Sequence, residues 1–179
     1  MKVEIQQFSP ASREDFYAVH SAAGQCFCVA WWVSTWEGWD DRTADDNRGL
    51  REQLLAENQY DGYLFYVDDA PAGWCQVGLR DRLPKLVEAH ALSSDPDAFA
   101  ISCLLLLPHM RGRGLAGVFL AGVIDDLRSR GVKRVEVFPR LGEGLSADEV
   151  WTGPQRLFDS LGFQLEQAGE RRGVMSLRL

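Results

Sequence analysis

FAISCLLLLPHMRGRGLAGVFLAGVIDDLRSRG, residues 99–131, changes character twice along its length. It opens with an apolar run, 99–107, held between Asp97 and Pro108. That length and those flanks suit a buried strand better than a helix, although periodicity alone does not separate the two. Pro108 has no N–H to give a ladder and marks the strand's end. After Arg111-Gly112-Arg113-Gly114, the residues Ala116, Phe119, Leu120, Val123 and Leu127 keep an apolar stripe at helical spacing, and Gly131 is a natural stop. The stretch therefore reads as strand, glycine turn, helix.

The first turn of a helix carries backbone N–H groups with no internal partner, and the helix dipole adds partial positive charge there. Glycines remove the Cβ atoms that would hold a phosphate away from those groups, and Arg111 and Arg113 add full charge. This is an anion site suited to a phosphate or pyrophosphate. The other reading is a tight turn that needs glycine only for its backbone shape. Two known phosphate loops are excluded. No lysine lies between Lys85 and Lys133, as a GxxxxGK[ST] loop would need, and Gly112-x-Gly114 is followed by Ala116 and Gly117 instead of the GxGxxG spacing.

The six residues Arg111-Gly112-Arg113-Gly114-Leu115-Ala116 resemble the acyl-CoA-binding signature of the GNAT acetyltransferase superfamily, Gln/Arg-x-x-Gly-x-Gly/Ala. Gly73-Trp74-Cys75-Gln76-Val77 resembles the superfamily's Gly-Trp strand before the central one. Leu157-Phe158-Asp159-Ser160-Leu161-Gly162-Phe163 is similar to its late helix and Gly-Phe strand. The combined match covers roughly 62–179 and, more loosely, the first strand. The Cys26-x-Cys28, tryptophan-rich segment resembles a bacterial subgroup of that superfamily.

The resemblance implies an α/β (α+β) fold in one acyl-CoA N-acyltransferase-like domain, 1–179. Its mixed sheet would have about six or seven strands, flanked by about four helices, with a splayed parallel pair. It implies an N-acetyltransferase moving an acetyl group from acetyl-CoA to an amine of a small molecule or peptide. The cofactor would lie on Leu105, Leu106 and Leu107 of the strand and on Arg111, Gly112, Arg113, Gly114, Leu115, Ala116 and Gly117 of the turn. Its arm would pair with backbone near Leu105 and Leu107.

Two departures leave the catalytic residues unassigned. The family's glutamate is missing from the central strand, which offers only Ser102 and Cys103, and Phe158 stands where a tyrosine acid is common. A non-catalytic acyl-CoA-binding regulatory protein is the alternative. Glu136 is a weak candidate base, or else a solvated strand carboxylate. Cys103 could be named a nucleophile, but a cysteine in a leucine-rich strand usually only packs.

Composition narrows the rest. At 179 residues the chain suits one domain, with 46% apolar and 25% charged residues. A net charge of −7 argues against broad nucleic-acid binding. No apolar run approaches a membrane span and the start lacks a signal core, so a cytoplasmic protein is expected, with no membrane or nucleic-acid partner. A homodimer is compatible with the resemblance. Four cysteines make no disulfide framework in this length, the three histidines show no ligand pattern, and no metal is expected.

Other elements follow from local signals. A strand is expected over 3–8 and a helix from a Ser12/Asp15 capping box to about His20. Trp32, Trp36 and Trp39 fall at helical spacing, either as a core stripe or as the wall of an acceptor pocket. Residues 40–47 read as loop, 49–58 as helix, and 62–67 with 72–79 as an antiparallel hairpin. Residues 80–96 are a substrate-side flap or a plain connection, with one helical turn around Leu83, Leu86 and Val87. A strand at 133–138, parallel to the central one, a helix over 152–161 capped by Thr152, and two closing strands complete the chain.

Overall fold

The computed structural model describes residues 1–23, 25–59, 61–146 and 149–179. Seven strands form one sheet: β1 (Val3–Gln7), β2 (Gly62–Val67), β3 (Ala70–Leu79), β4 (Ala98–Leu106), β5 (Arg134–Val137), β6 (Gln164–Ala168) and β7 (Gly173–Arg178). Their spatial order is β1-β2-β3-β4-β5-β7-β6. Every neighbouring pair is antiparallel except β4 and β5, which run parallel. Five α-helices occur among the described residues: α1 (Arg13–Ala23), α2 (Ala44–Ala56), α3 (Pro84–Ala89), α4 (Leu115–Ser129) and α5 (Gln155–Ser160). The expectation of about four is exceeded because the turn around Leu86 closes into α3, a helix of six residues.

Strand alternation sorts the core onto two faces. Tyr63, Phe65 and Val67 pack with Phe119, Leu120 and Val123 of α4 on one side. Leu64, Trp74 and Cys103 pack with Phe16, Tyr17 and Val19 of α1 on the other. The hairpin between β2 and β3 turns at Asp68 and Asp69, both in the left-handed region at φ 49° and 66°, as a primed two-residue turn requires.

Four sequence expectations need correction. The capping box lies one turn earlier than predicted. Ser9 N–H donates to Ser12 Oγ at 3.1 Å, and Asp15 instead accepts from the Tyr66 hydroxyl at 2.7 Å. Helix α2 starts at Ala44, because Thr43 and Asp46 form a capping box inside the stretch read as loop. Thr152 does not cap α5, which begins at Gln155; its buried hydroxyl donates to the Phe138 carbonyl at 2.8 Å. The tryptophan-rich segment is no helix, since Phe27 and Cys28 take left-handed backbone at φ 45° and 52°.

Close approach of β3 to β4 depends on Gly73. A Cβ there would stand 2.6 Å from the Leu105 carbonyl oxygen and 2.7 Å from Leu106 Cδ2. Gly73→Ala is expected to destabilise the fold by about 2 kcal/mol through backbone displacement in a close-packed interior. Equilibrium urea unfolding checks this, and an unchanged midpoint would refute it.

Candidate functional site

Pairing of β4 with β5 stops at Ile101–Val137. Beyond it, Ser102 to Leu106 continue with no strand on that side among the described residues, and a cleft of about 640 Å³ opens in the gap. Its floor is Ser102–Leu106, its walls include Trp31, Trp36, Trp39 and Trp151, and Arg111 and Ala116 lie at the α4 end.

The polarity of the open edge follows from the ladder. Leu107 N–H donates to Ala72 of β3 at 2.9 Å, and backbone groups alternate along a strand. Leu105 and Leu107 therefore turn their amides toward β3, while Leu104 and Leu106 turn theirs into the gap. Three groups on this edge are held by the protein itself. Trp31 Nε1 donates to the Ser102 carbonyl at 3.1 Å, and Arg111 Nε donates to the Leu106 carbonyl at 3.0 Å. Leu104 N–H donates to the Trp151 carbonyl at 3.0 Å. Among the described residues, the Leu104 carbonyl and Leu106 N–H of this edge have no partner.

The turn into α4 presents free donors. Among the described residues, the N–H groups of Gly112, Arg113, Gly114, Leu115 and Ala116 meet no acceptor. Gly117 N–H is taken by the Gly114 carbonyl at 3.2 Å. Gly112 and Gly114 lie at φ 71° and 75°, and a Cβ on either would meet nothing within 4 Å. Glycine serves the backbone conformation here, and the space over the amides is open. Arg113 is exposed, and among the described residues its side chain donates to the sulfurs of Met110 and Met1, at 3.5 and 3.6 Å. No carboxylate pairs with Arg111 or Arg113 among the described residues, so their charge is available to an anion.

The wall at Cys26–Cys28 is shaped by a buried cation. Arg51, 1% exposed, donates to the carbonyls of Phe27 at 2.9 Å and Cys28 at 2.7 Å, and to Gln76 Oε1 at 3.2 Å. Desolvation lowers its pKa from the usual guanidinium value. His20 Nδ1 lies 2.9 Å from the Phe16 carbonyl, which can only accept, so the neutral ring carries its proton there. Nε2, 3.3 Å from Cys28 Sγ, then accepts from the thiol. Burial holds His20 down at about 3 and pushes the Cys28 thiol well up, so this cysteine packs as a neutral thiol. All four cysteines are free. Among the described residues, no group of three His, Cys, Asp or Glu is placed to hold a metal ion.

Glu136 fits neither of its sequence readings. It is 2% exposed and chelated by Arg80 at 3.1 and 3.2 Å, with Arg134 Nε at 3.0 Å, away from the cleft lining. Phe158 is fully buried in the core against Phe163. Cys103 lines the cleft beside Ser102, whose buried hydroxyl has no partner among the described residues. Trp31 is 2% exposed in the core and also lines the cleft, while Trp36 and Trp39 line it nearer the surface. Two charged cleft residues escaped the sequence reading, as did Trp151. Asp40, exposed, is the carboxylate of the lining, and Arg172 is a cation packed on indoles. Neither carries a spacing signal.

The profile of the GNAT acetyltransferase family matches residues 25–151, more than half of the chain. The chain belongs to that family. Acetyl transfer is its activity, with acetyl-CoA as donor.

Solved structures agree in fold along the whole length. An aminoglycoside acetyltransferase in complex with coenzyme A matches at TM-score 0.65 and 17% identity, over 99% of this chain and 95% of its own. A family member from Desulfovibrio desulfuricans matches at 0.61 and 18%, over 99% of each chain. The PaiA N-acetyltransferase of Thermoplasma acidophilum, with coenzyme A, matches at 0.60 and 14%, over 100% of each. No curated protein matches the chain. Among the described residues, no helix is long and apolar enough to cross a membrane.

Proposed function

We propose that this protein is an N-acetyltransferase that moves the acetyl group of acetyl-CoA to an amine of a small molecule or peptide. The observation that carries the reading is the row of free amides from Gly112 to Ala116, next to a cleft that Arg111 and Ala116 line at that end and that exposes the edge of β4. A pyrophosphate fits those amides and the two unpaired arginines. An extended amide-bearing arm fits the free Leu104 carbonyl and Leu106 N–H, which takes the place of the pairing expected at Leu105 and Leu107. Two solved structures of the same fold are in complex with coenzyme A, which supports coenzyme A chemistry for this chain.

Acetyl transfer needs the amine neutral, the thioester carbonyl polarised and the thiolate protonated. Nitrogen bonds to the acetyl carbon, the carbon–sulfur bond breaks, and the proton lost by nitrogen balances the thiolate. Asp40 is the carboxylate of the lining through which water can draw the amine's proton. Holding the two reactants together in a narrow apolar cleft supplies much of the rate without a dedicated base.

Incubation with acetyl-CoA and a broad amine panel, reading free thiol, tests the activity. Release above background is expected; none across the panel, with coenzyme A still raising the melting temperature, would instead support the non-catalytic reading. That reading draws on the missing glutamate of β4 and on Phe158. Gly114→Asn tests the cradle itself. Asparagine tolerates left-handed backbone, so the fold survives while its Cβ crowds the amides. Affinity for coenzyme A is expected to fall about tenfold, or about 1.4 kcal/mol, by calorimetry. Unchanged affinity refutes the cradle.

A further inference from the structure

Among the described residues, Arg172 in the wall of the cleft is a cation without a counter-ion. Its guanidinium lies 5.4 Å from the Trp151 ring and 5.8 Å from the Trp31 ring. Among the described residues it forms no ion pair, and its hydrogen bond, to Thr152 Oγ1, spans 3.5 Å. Its charged neighbour is Arg140, which is itself satisfied by Glu149 at 3.0 Å. Burial and Arg140 both lower its pKa, so the fold bears the cost of desolvating this charge without offsetting it.

The two indoles that pack against it are fixed to the open strand. Trp31 is tied to the Ser102 carbonyl at 3.1 Å, and the Trp151 carbonyl accepts from Leu104 N–H at 3.0 Å. The guanidinium thus stands one indole away from the stretch of β4 over which the thioester would lie. The two rings lie 5.3 Å apart, so the guanidinium packs against the pair from one side and keeps N–H donors that match the two oxygens of a planar carboxylate. Partial desolvation strengthens such a pair relative to one on the surface.

We propose that Arg172 receives a carboxylate of the acceptor, so that the substrate is an amine that also carries a carboxylate, such as an amino acid or the terminal residue of a peptide. The inference rests on the acetyltransferase reading above. The amine then lies on the β4 side of the carboxylate, facing the acetyl carbon.

Matched pairs of L-amino acids and their carboxamides test it, with acetyl-CoA turnover read as free thiol. For at least one pair the acid is expected to exceed the amide at least tenfold in kcat/KM. Arg172→Gln should erase that ratio mainly through KM, and Arg172→Lys should restore part of it. Thermal shifts by N-acetylamino acids and their amides at saturating coenzyme A read the same discrimination without turnover. Equal kcat/KM, or equal shifts, for acid and amide overturn the proposal, as does a ratio that survives Arg172→Gln. Phosphoethanolamine outranking every acid would overturn the carboxylate assignment. Absence of any shift by coenzyme A would instead sink the acetyltransferase reading, which separates the two failures.

Discussion

Replacing Arg51 with alanine is expected to cost about 4 kcal/mol and to lower the melting temperature by roughly 10 °C. The residue is 1% exposed, and its loss leaves the Phe27 and Cys28 carbonyls and Gln76 Oε1 without their donor. Two of those carbonyls belong to residues held at positive φ, so the donor that offsets their strain also disappears. The cleft wall should loosen with it, and the buried Cys28 thiol should react faster with a disulfide reagent. Differential scanning calorimetry and thiol titration check both effects. A melting shift below about 2 °C would show that water replaces the guanidinium without loss. Arg51→Lys should fall between, because one ammonium cannot span three acceptors.

Acidification should destabilise the protein from pH 6.5 downward, with His20 a leading contributor. In the folded chain its pKa is held down at about 3 by burial beneath Phe16 and Cys28, with Arg51 opposing its charge further. The unfolded state binds the proton near pH 6.5, so the contribution is complete above that pH. It is lost as pH falls toward the folded value, at about 1.4 kcal/mol per unit, or about 3 kcal/mol by pH 4. His90, lowered to about 4 by burial and then by Arg172, acts in the same direction. The melting temperature of wild type and of His20→Gln between pH 7 and 4.5 checks this. Parallel curves for the two proteins would remove His20 from the account.

Elements whose signal is local were legible. Residues 62–67 form β2 as read, and the strand–turn–helix around Pro108 and Gly114 is placed within a residue or two. Their apolar periods and breakers act within a few residues, and tertiary packing agrees with them. The reading fell short where a distant partner decides. The spacing of Trp32, Trp36 and Trp39 fits a helix, but Arg51, far along the chain, clamps Phe27 and Cys28 into a left-handed turn. Thr152 has a cap's chemistry, yet the Phe138 carbonyl claims its hydroxyl. Glu136 reads as an exposed strand carboxylate until Arg80 is folded against it. For the site, the glycine–arginine turn was visible because its donors lie in one run of sequence. Arg172 was not, because its meaning comes from two indoles brought from distant segments.

Four of the six tryptophans line the cleft, and two of these pack against one guanidinium. Indole emission depends on the polarity and the quenchers around the ring, so the light this protein emits is governed largely by what occupies that space. The cleft is its own optical probe. Binding of a donor or an acceptor can be followed on the unlabelled protein, with Trp31 and Trp151 reporting from beside Arg172.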